Sequence, residues 1–215
     1  MKQFHNAINI GKILLILQWC SMDFVSAQEL REERYATGQL KARGYMANGL
    51  KDGEWSYYYP TGLKNSIERY RSGKLHGTVI YYYPDGSVQG EEQWVEGGIQ
   101  DSARYYHANG RLHRKGKYLN SQYEGVWMSY FDNGKLEQVL NYKNGLPDGP
   151  TTVYEQVGNK LMEGFYKEGL ESGQWSFYNP KGELVMQGSY ENGKPVGTWY
   201  EYKNGKKKIY KNKSG

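Results

Sequence analysis

Histidines and carboxylates are the side chains of this sequence whose types could carry proton transfer or metal chemistry. His76, His107 and His113 lie in the body of the chain, and His107 and His113 flank Gly110. Two imidazoles without a third ligand do not make a closed metal site, so these read as surface histidines. Glu91 and Glu92 are adjacent, which sends them to opposite faces of a strand. Glu32 and Glu33 repeat the pattern. Hydrolysis by paired carboxylates needs two such groups roughly 5–9 Å apart across a cleft, and a single sheet makes no cleft. The lone cysteine is Cys20, and no H-E-x-x-H, G-x-S-x-G, P-loop or helix-opening G-x-G-x-x-G is present. The expectation is a non-enzyme with no catalytic residue, no cofactor and no metal.

What remains is aromatic chemistry. The chain has 22 Tyr, 6 Trp and 5 Phe. Rings at this density either hold a thin sheet together as cross-strand pairs or form an exposed stacking surface. The elements that position them repeat. Gly53, Gly77, Asp101, Gly125, Gly149, Gly173 and Gly197 are spaced 24 residues apart, and five residues after each stands Tyr58, Tyr82, Tyr106, Tyr130, Tyr154, Tyr178 or Tyr202. A fixed period of this size means stacked supersecondary units.

With each mark numbered as position 0, glycine recurs at position 9 (Gly62, Gly86, Gly110, Gly134, Gly158, Gly182) and at position 20 (Gly73, Gly97, Gly145, Gly169, Gly193). Position 17 is aromatic throughout, from Tyr70 to Tyr190, and position 11 is often Leu or Val. Short aromatic runs broken by Gly read as hairpins, with strands at roughly positions 1–6 and 11–17. Pro60, Pro84 and Pro180 fall at position 7. Proline there excludes a two-residue type I′ turn and suits a three-residue loop closed by a left-handed glycine. Position 6 then pairs with 10, and the tyrosine at 5 with the residue at 11. Simple alternation places positions 5, 11, 15 and 17 on one face and 2, 4 and 6 on the other. Gly44, Gly116, Gly164 and Gly188 at position 15 leave room beside large rings. The second face varies, and its Trp55, Tyr57, Tyr81, Trp127, Trp175, Phe177 and Trp199 are the candidate binding residues.

The ends differ from the body. Lys2 and Lys12, the run Ile13–Leu17 and the small residues Val25-Ser26-Ala27 follow the order of a secretory signal peptide over residues 1–27, with cleavage expected after Ala27. The alternative is retention as an anchor. Residues 28–210 form the repeat array, about seven units after a worn first one starting near Glu29. Residues 203–215 carry six lysines and no acid, a basic tail that offers phosphate only unspecific attraction.

The series Gly173-Gln174-Trp175-Ser176-Phe177-Tyr178, Gly182-Glu183-Leu184, Gly188-Ser189-Tyr190-Glu191-Asn192-Gly193 and Gly197 resembles the MORN-repeat family, more closely its bacterial variant. The likeness spans about residues 29–210. It implies an all-β fold, an elongated sheet of successive antiparallel hairpins, and roles in protein contact, scaffolding and membrane-proximal placement. Some bacterial members carry an antitoxin label, which export from the cytoplasm would contradict. Asp101, Ala103 and Ser121 replace the usual Gly, Trp and Gly, as a bend, a specialised contact or drift.

The leading expectation is an exported protein-binding or scaffolding surface, in the periplasm, outer envelope or extracellular space. The runner-up is a cell-wall glycan-binding module, because Trp199-Tyr200-Glu201-Tyr202-Lys203-Asn204-Gly205 resembles aromatic-glycine repeats that hold such polymers. The third is an antitoxin or immunity protein. No specific nucleic-acid partner is expected, and the oligomeric state stays open.

Overall fold

The computed structural model describes residues 28–210, and all regular structure within them is β-strand. The expected signal segment and Cys20 lie outside the described residues. Strands follow one another as antiparallel neighbours from Glu29–Arg34 to Lys206–Ile209, so sequence order is spatial order. The first and last strands each pair on one side only, which leaves the sheet open. At ~4.8 Å per strand the array is about 70 Å long.

The turn at positions 6–9 forms as the prolines require. In the unit beginning at Gly53, Gly62 N–H donates to Tyr59 O at 2.9 Å and Tyr59 N–H donates to Leu63 O at 2.8 Å. Gly62 has φ +85°, which an L side chain rarely adopts. The same two bonds recur from Tyr35 to Asn179. The other turn is a two-residue hairpin, as at Asn144 (φ 52°) and Gly145 (φ 81°), the signature of type I′.

The pairing of position 5 with 11 also holds, as in Tyr58 with Lys64. One residue further it fails. Tyr57 pairs with Ser66, so Asn65 at position 12 is an extra residue, and this bulge recurs in every unit from Lys41 to Val185. A one-residue shift exchanges faces for everything beyond it. Positions 2, 4, 13, 15 and 17 therefore share one face, and positions 15 and 17 do not lie with 5 and 11 as alternation alone predicts.

The bulge brings tryptophan and glycine together. A Cβ on Gly44 would lie 2.3 Å from the Trp55 ring, and Gly116, Gly164 and Gly188 meet Trp127, Trp175 and Trp199 at 2.2, 2.2 and 2.1 Å. Each indole lies flat on the glycine of the preceding unit. Where position 15 is large, the next unit's position 2 is small: Glu68 with Val79, Glu92 with Ala103, Leu140 with Thr151. The space over each row holds one large side chain, from one source or the other. Ala103 therefore answers Glu92 and is not drift. Asp101 (φ 62°) and Ser121 (φ 64°) hold the left-handed backbone that glycine holds elsewhere.

Two hydrogen-bond series join neighbouring units. Along the turn edge Tyr35, Tyr59 and Tyr83 hydroxyls donate to the carbonyls of Tyr58, Tyr82 and Tyr106, and His107 Nε2 bonds Tyr130 O at 2.8 Å. Tyr59 and Tyr83 thus reach along the edge instead of joining positions 2 and 4. At the opposite edge Asp52, Gln100, Glu124 and Asp148 side chains accept from backbone N–H groups of the type I′ turns. Lys206–Ile209, expected within a basic tail, forms the final strand against Tyr200–Lys203.

Candidate functional site

The sequence-expected aromatic residues do lie on one face, but three of the four tryptophans are closed to a ligand, and Trp199 is half-buried. Trp55, Trp127 and Trp175 are 0%, 5% and 2% exposed, because each ring fills the space over a glycine. Trp55 Nε1 donates to Tyr45 O at 2.9 Å and Trp127 Nε1 to Lys117 O at 3.0 Å. Trp175 and Trp199 make no such bond. The position-17 tyrosines meet the indoles edge-on, as Tyr118 with Trp127 at 5.1 Å and Tyr190 with Trp199 at 5.1 Å. The rings act first as packing. Tyr57, Tyr81 and Phe177 are half-buried on the same face.

Its polar centre is a constellation that the sequence reading passed over. Glu68 and Glu92 occupy position 15, where four other units have glycine. Val79 pairs directly with Glu92, and continuing the Ile67–Ile80 pair brings Glu68 level with Val79 on the other side. The two carboxylates therefore stand about two strand spacings, ~10 Å, apart in one row.

Neutral donors hold both. Ser66 and Tyr70 hydroxyls donate to Glu68 at 2.9 and 2.5 Å. Tyr81, Trp94 and Tyr105 donate to Glu92 at 3.1, 3.0 and 2.6 Å. Tyr70 links on to Tyr57 and Tyr105 to Tyr118, which extends each cluster outward. Burial, and then the hydrogen bonds to Glu68 and Tyr57, push the Tyr70 hydroxyl far above its ordinary pKa. Burial followed by Glu92 does the same to Tyr81 and Tyr105, and burial raises Tyr118 to about 12. These hydroxyls stay protonated at neutral pH and serve as donors.

A cation closes each side. Lys51 Nζ lies 4.4 Å from the Trp55 ring centre and donates to Tyr57 Oη at 2.6 Å. The Arg114 guanidinium lies 4.6 Å from the Tyr105 ring. The order across the sheet is Lys51, Glu68, Glu92, Arg114, with tyrosines between. Sequence offered one signal for this: the two glycine positions that become glutamate, each followed by a small residue where tryptophan is usual.

The remaining candidates are dispersed. His107 and His113 pack at 4.5 Å between ring centroids across the bulge, and burial foremost, then His107, lowers the His113 pKa. Among the described residues no three His, Cys, Asp or Glu gather as metal ligands. Glu91 and Glu92 face opposite sides, as adjacency requires.

Residues 75–96, 123–144 and 171–192 match the family described as MORN repeat variant. The matched segments are 48 residues apart, so they fall on alternate units, and the units between them have the same pairing. No curated protein matches the chain at a significant level. Two solved structures, the crystal structures of TcdB2-TccC3-Cdc42 and of TcdB2-TccC3, align at 12% identity over 82% of this chain with a TM-score of 0.19. This chain spans only 13% and 14% of theirs, and likeness at that level carries nothing about function.

Proposed function

Because three segments of the chain match the MORN repeat variant and the units between them have the same pairing, we propose that it works as an extended, non-catalytic surface that binds a partner protein through the tyrosine–carboxylate face. Export through residues 1–27 to the periplasm, outer envelope or extracellular space belongs to the same proposal. The observation that supports it most is a pair of polar clusters set side by side on one face of an open sheet, Lys51–Tyr57–Tyr70–Glu68 and Tyr81–Glu92–Tyr105–Tyr118. In a one-dimensional array each unit contacts its neighbours, so distant residues share a surface rather than a pocket. Tyrosine suits such a surface, with a rigid apolar body and a polar tip.

Affinity capture from the native source tests this, with wild-type protein compared with Tyr81→Ala and Ile80→Ala, neighbours on opposite faces. A partner lost with Tyr81→Ala and kept with Ile80→Ala supports the reading. A partner that depends on Ile80 and ignores Tyr81 overturns it. For the glycan reading, Trp55, Trp127 and Trp175 are buried, which leaves the half-buried Trp199, Tyr200 and Tyr202 as its stacking rings.

A further inference from the structure

Glu68 and Glu92 are ionisable, half-buried and free of ion pairs: among the described residues no lysine or arginine reaches either carboxylate. A carboxylate has about four acceptor sites. Glu92 takes three donors and Glu68 two, so both retain unused acceptor capacity. The same face already holds cations over its rings, Lys51 on Trp55, Tyr57 and Tyr70, and Arg114 on Tyr105, Tyr123 and Trp127. Two residues along the strand from Val79, Tyr81 donates to Glu92 at 3.1 Å, and among the described residues no cation lies over its ring. Two negative charges, tyrosine rings and spare acceptors make the chemical complement of ammonium or guanidinium groups.

We infer that the Glu68–Glu92 pair, with Tyr81 beside it, is a docking site for a basic segment of a partner protein, one that presents two lysine or arginine side chains about 10 Å apart. This rests on the binding-surface reading above and specifies its partner. Every third residue of a polyproline II segment lies on one side at about 9.3 Å, close to the carboxylate spacing, and aromatic faces commonly receive such segments. Each cation would meet one carboxylate, and the proline rings would lie against Tyr57, Tyr81 and Tyr105.

The probe is a fluorescein-labelled peptide of Lys-Pro-Pro repeats, with Glu-Pro-Pro repeats as control, titrated into the purified protein by fluorescence anisotropy. Wild type binds the lysine peptide and not the glutamate peptide. Glu68→Gln with Glu92→Gln weakens binding by about tenfold or more, because both charge-assisted contacts are lost. Glu91→Gln, on the opposite face, leaves it unchanged. Equal binding by all three proteins overturns the inference. Should the double variant unfold, wild-type NMR decides alone. Peptide must shift the Trp94 indole N–H, which bonds Glu92, and leave that of Trp127, which bonds Lys117 O. No shift at Trp94 at a saturating peptide concentration overturns the inference. A captured partner that depends on Tyr81 but not on Glu68 or Glu92 overturns this chemistry and leaves the binding surface standing.

Discussion

The indole of Trp127 occupies the place where a side chain on Gly116 would begin: a Cβ there would meet the ring at 2.2 Å. The two residues are exchangeable only as a pair, because one volume serves both. Gly116→Leu alone should destabilise by at least the ~1–3 kcal/mol of overpacking. Trp127→Thr alone should lose about 3–5 kcal/mol, as large-to-small changes do. Together they recreate the Leu140–Thr151 arrangement, so the double variant should recover part of the loss in urea denaturation. Strictly additive losses would show that the two sites do not share a space.

Tyrosine ionisation reports the polar centre. Tyr70, Tyr81 and Tyr105 are raised, chiefly by burial and next by Glu68 or Glu92. A raised tyrosine pKa favours the neutral form in the folded state, so its stabilisation is complete below the ordinary value of 10.0 and is lost as pH climbs through the folded value. Ultraviolet titration should show a class of tyrosines that ionises only with alkaline unfolding. Glu92→Gln should lower Tyr81 and Tyr105 without returning them to the ordinary range, because burial persists. Normal titration of every tyrosine would contradict the network.

Period and turns were legible in the sequence because Pro at position 7 and Gly at position 9 act locally. Proline fixes φ and glycine permits the left-handed region, so Pro60 and Gly62 place the loop without reference to the rest of the fold. The faces were not legible in the same way. Position 12 is Lys41, Asn65, Gln89, His113, Glu137, Leu161 or Val185, and no residue type marks the bulge. Its recurrence in every unit, with or without a tryptophan, ties it to the repeated hairpin rather than to one side chain. Its trace was present as covariation between positions 15 and 2, and Glu68 and Glu92 were hidden inside that same trace.

The turn itself predicts unequal responses from adjacent residues. Gly134 has φ +87°, so Gly134→Val forces a β-branched residue into a disfavoured region and should lower the melting temperature sharply. Asn133 Oδ1 accepts from Lys135 N–H, and its Nδ2 donates to Gln156 O. Asn133→Asp keeps the first bond and loses the second, a change of about 0.5–1.5 kcal/mol. Thermal unfolding should rank Gly134→Val well below Asn133→Asp, and equal effects would misplace the loop.

The edge series has a gap that can be filled. Tyr59 donates to Tyr82 O at 2.7 Å, while the equivalent residue three units later, Phe131, has no hydroxyl. Tyr59→Phe should destabilise by about 0.5–1.5 kcal/mol, and Phe131→Tyr should stabilise by no more than that. Urea midpoints measure both. A stabilising Tyr59→Phe would show that the hydroxyl does not join the units.

Photo-crosslinking tests the binding face most directly. Benzoylphenylalanine placed at Tyr81 and, separately, at Ile80 presents the same reactive group on the two sides of one strand. Irradiation with the captured partner should give a covalent adduct from position 81 and none from position 80. An adduct from position 80 alone, or equal adducts from both, would contradict the assignment of binding to the tyrosine–carboxylate face.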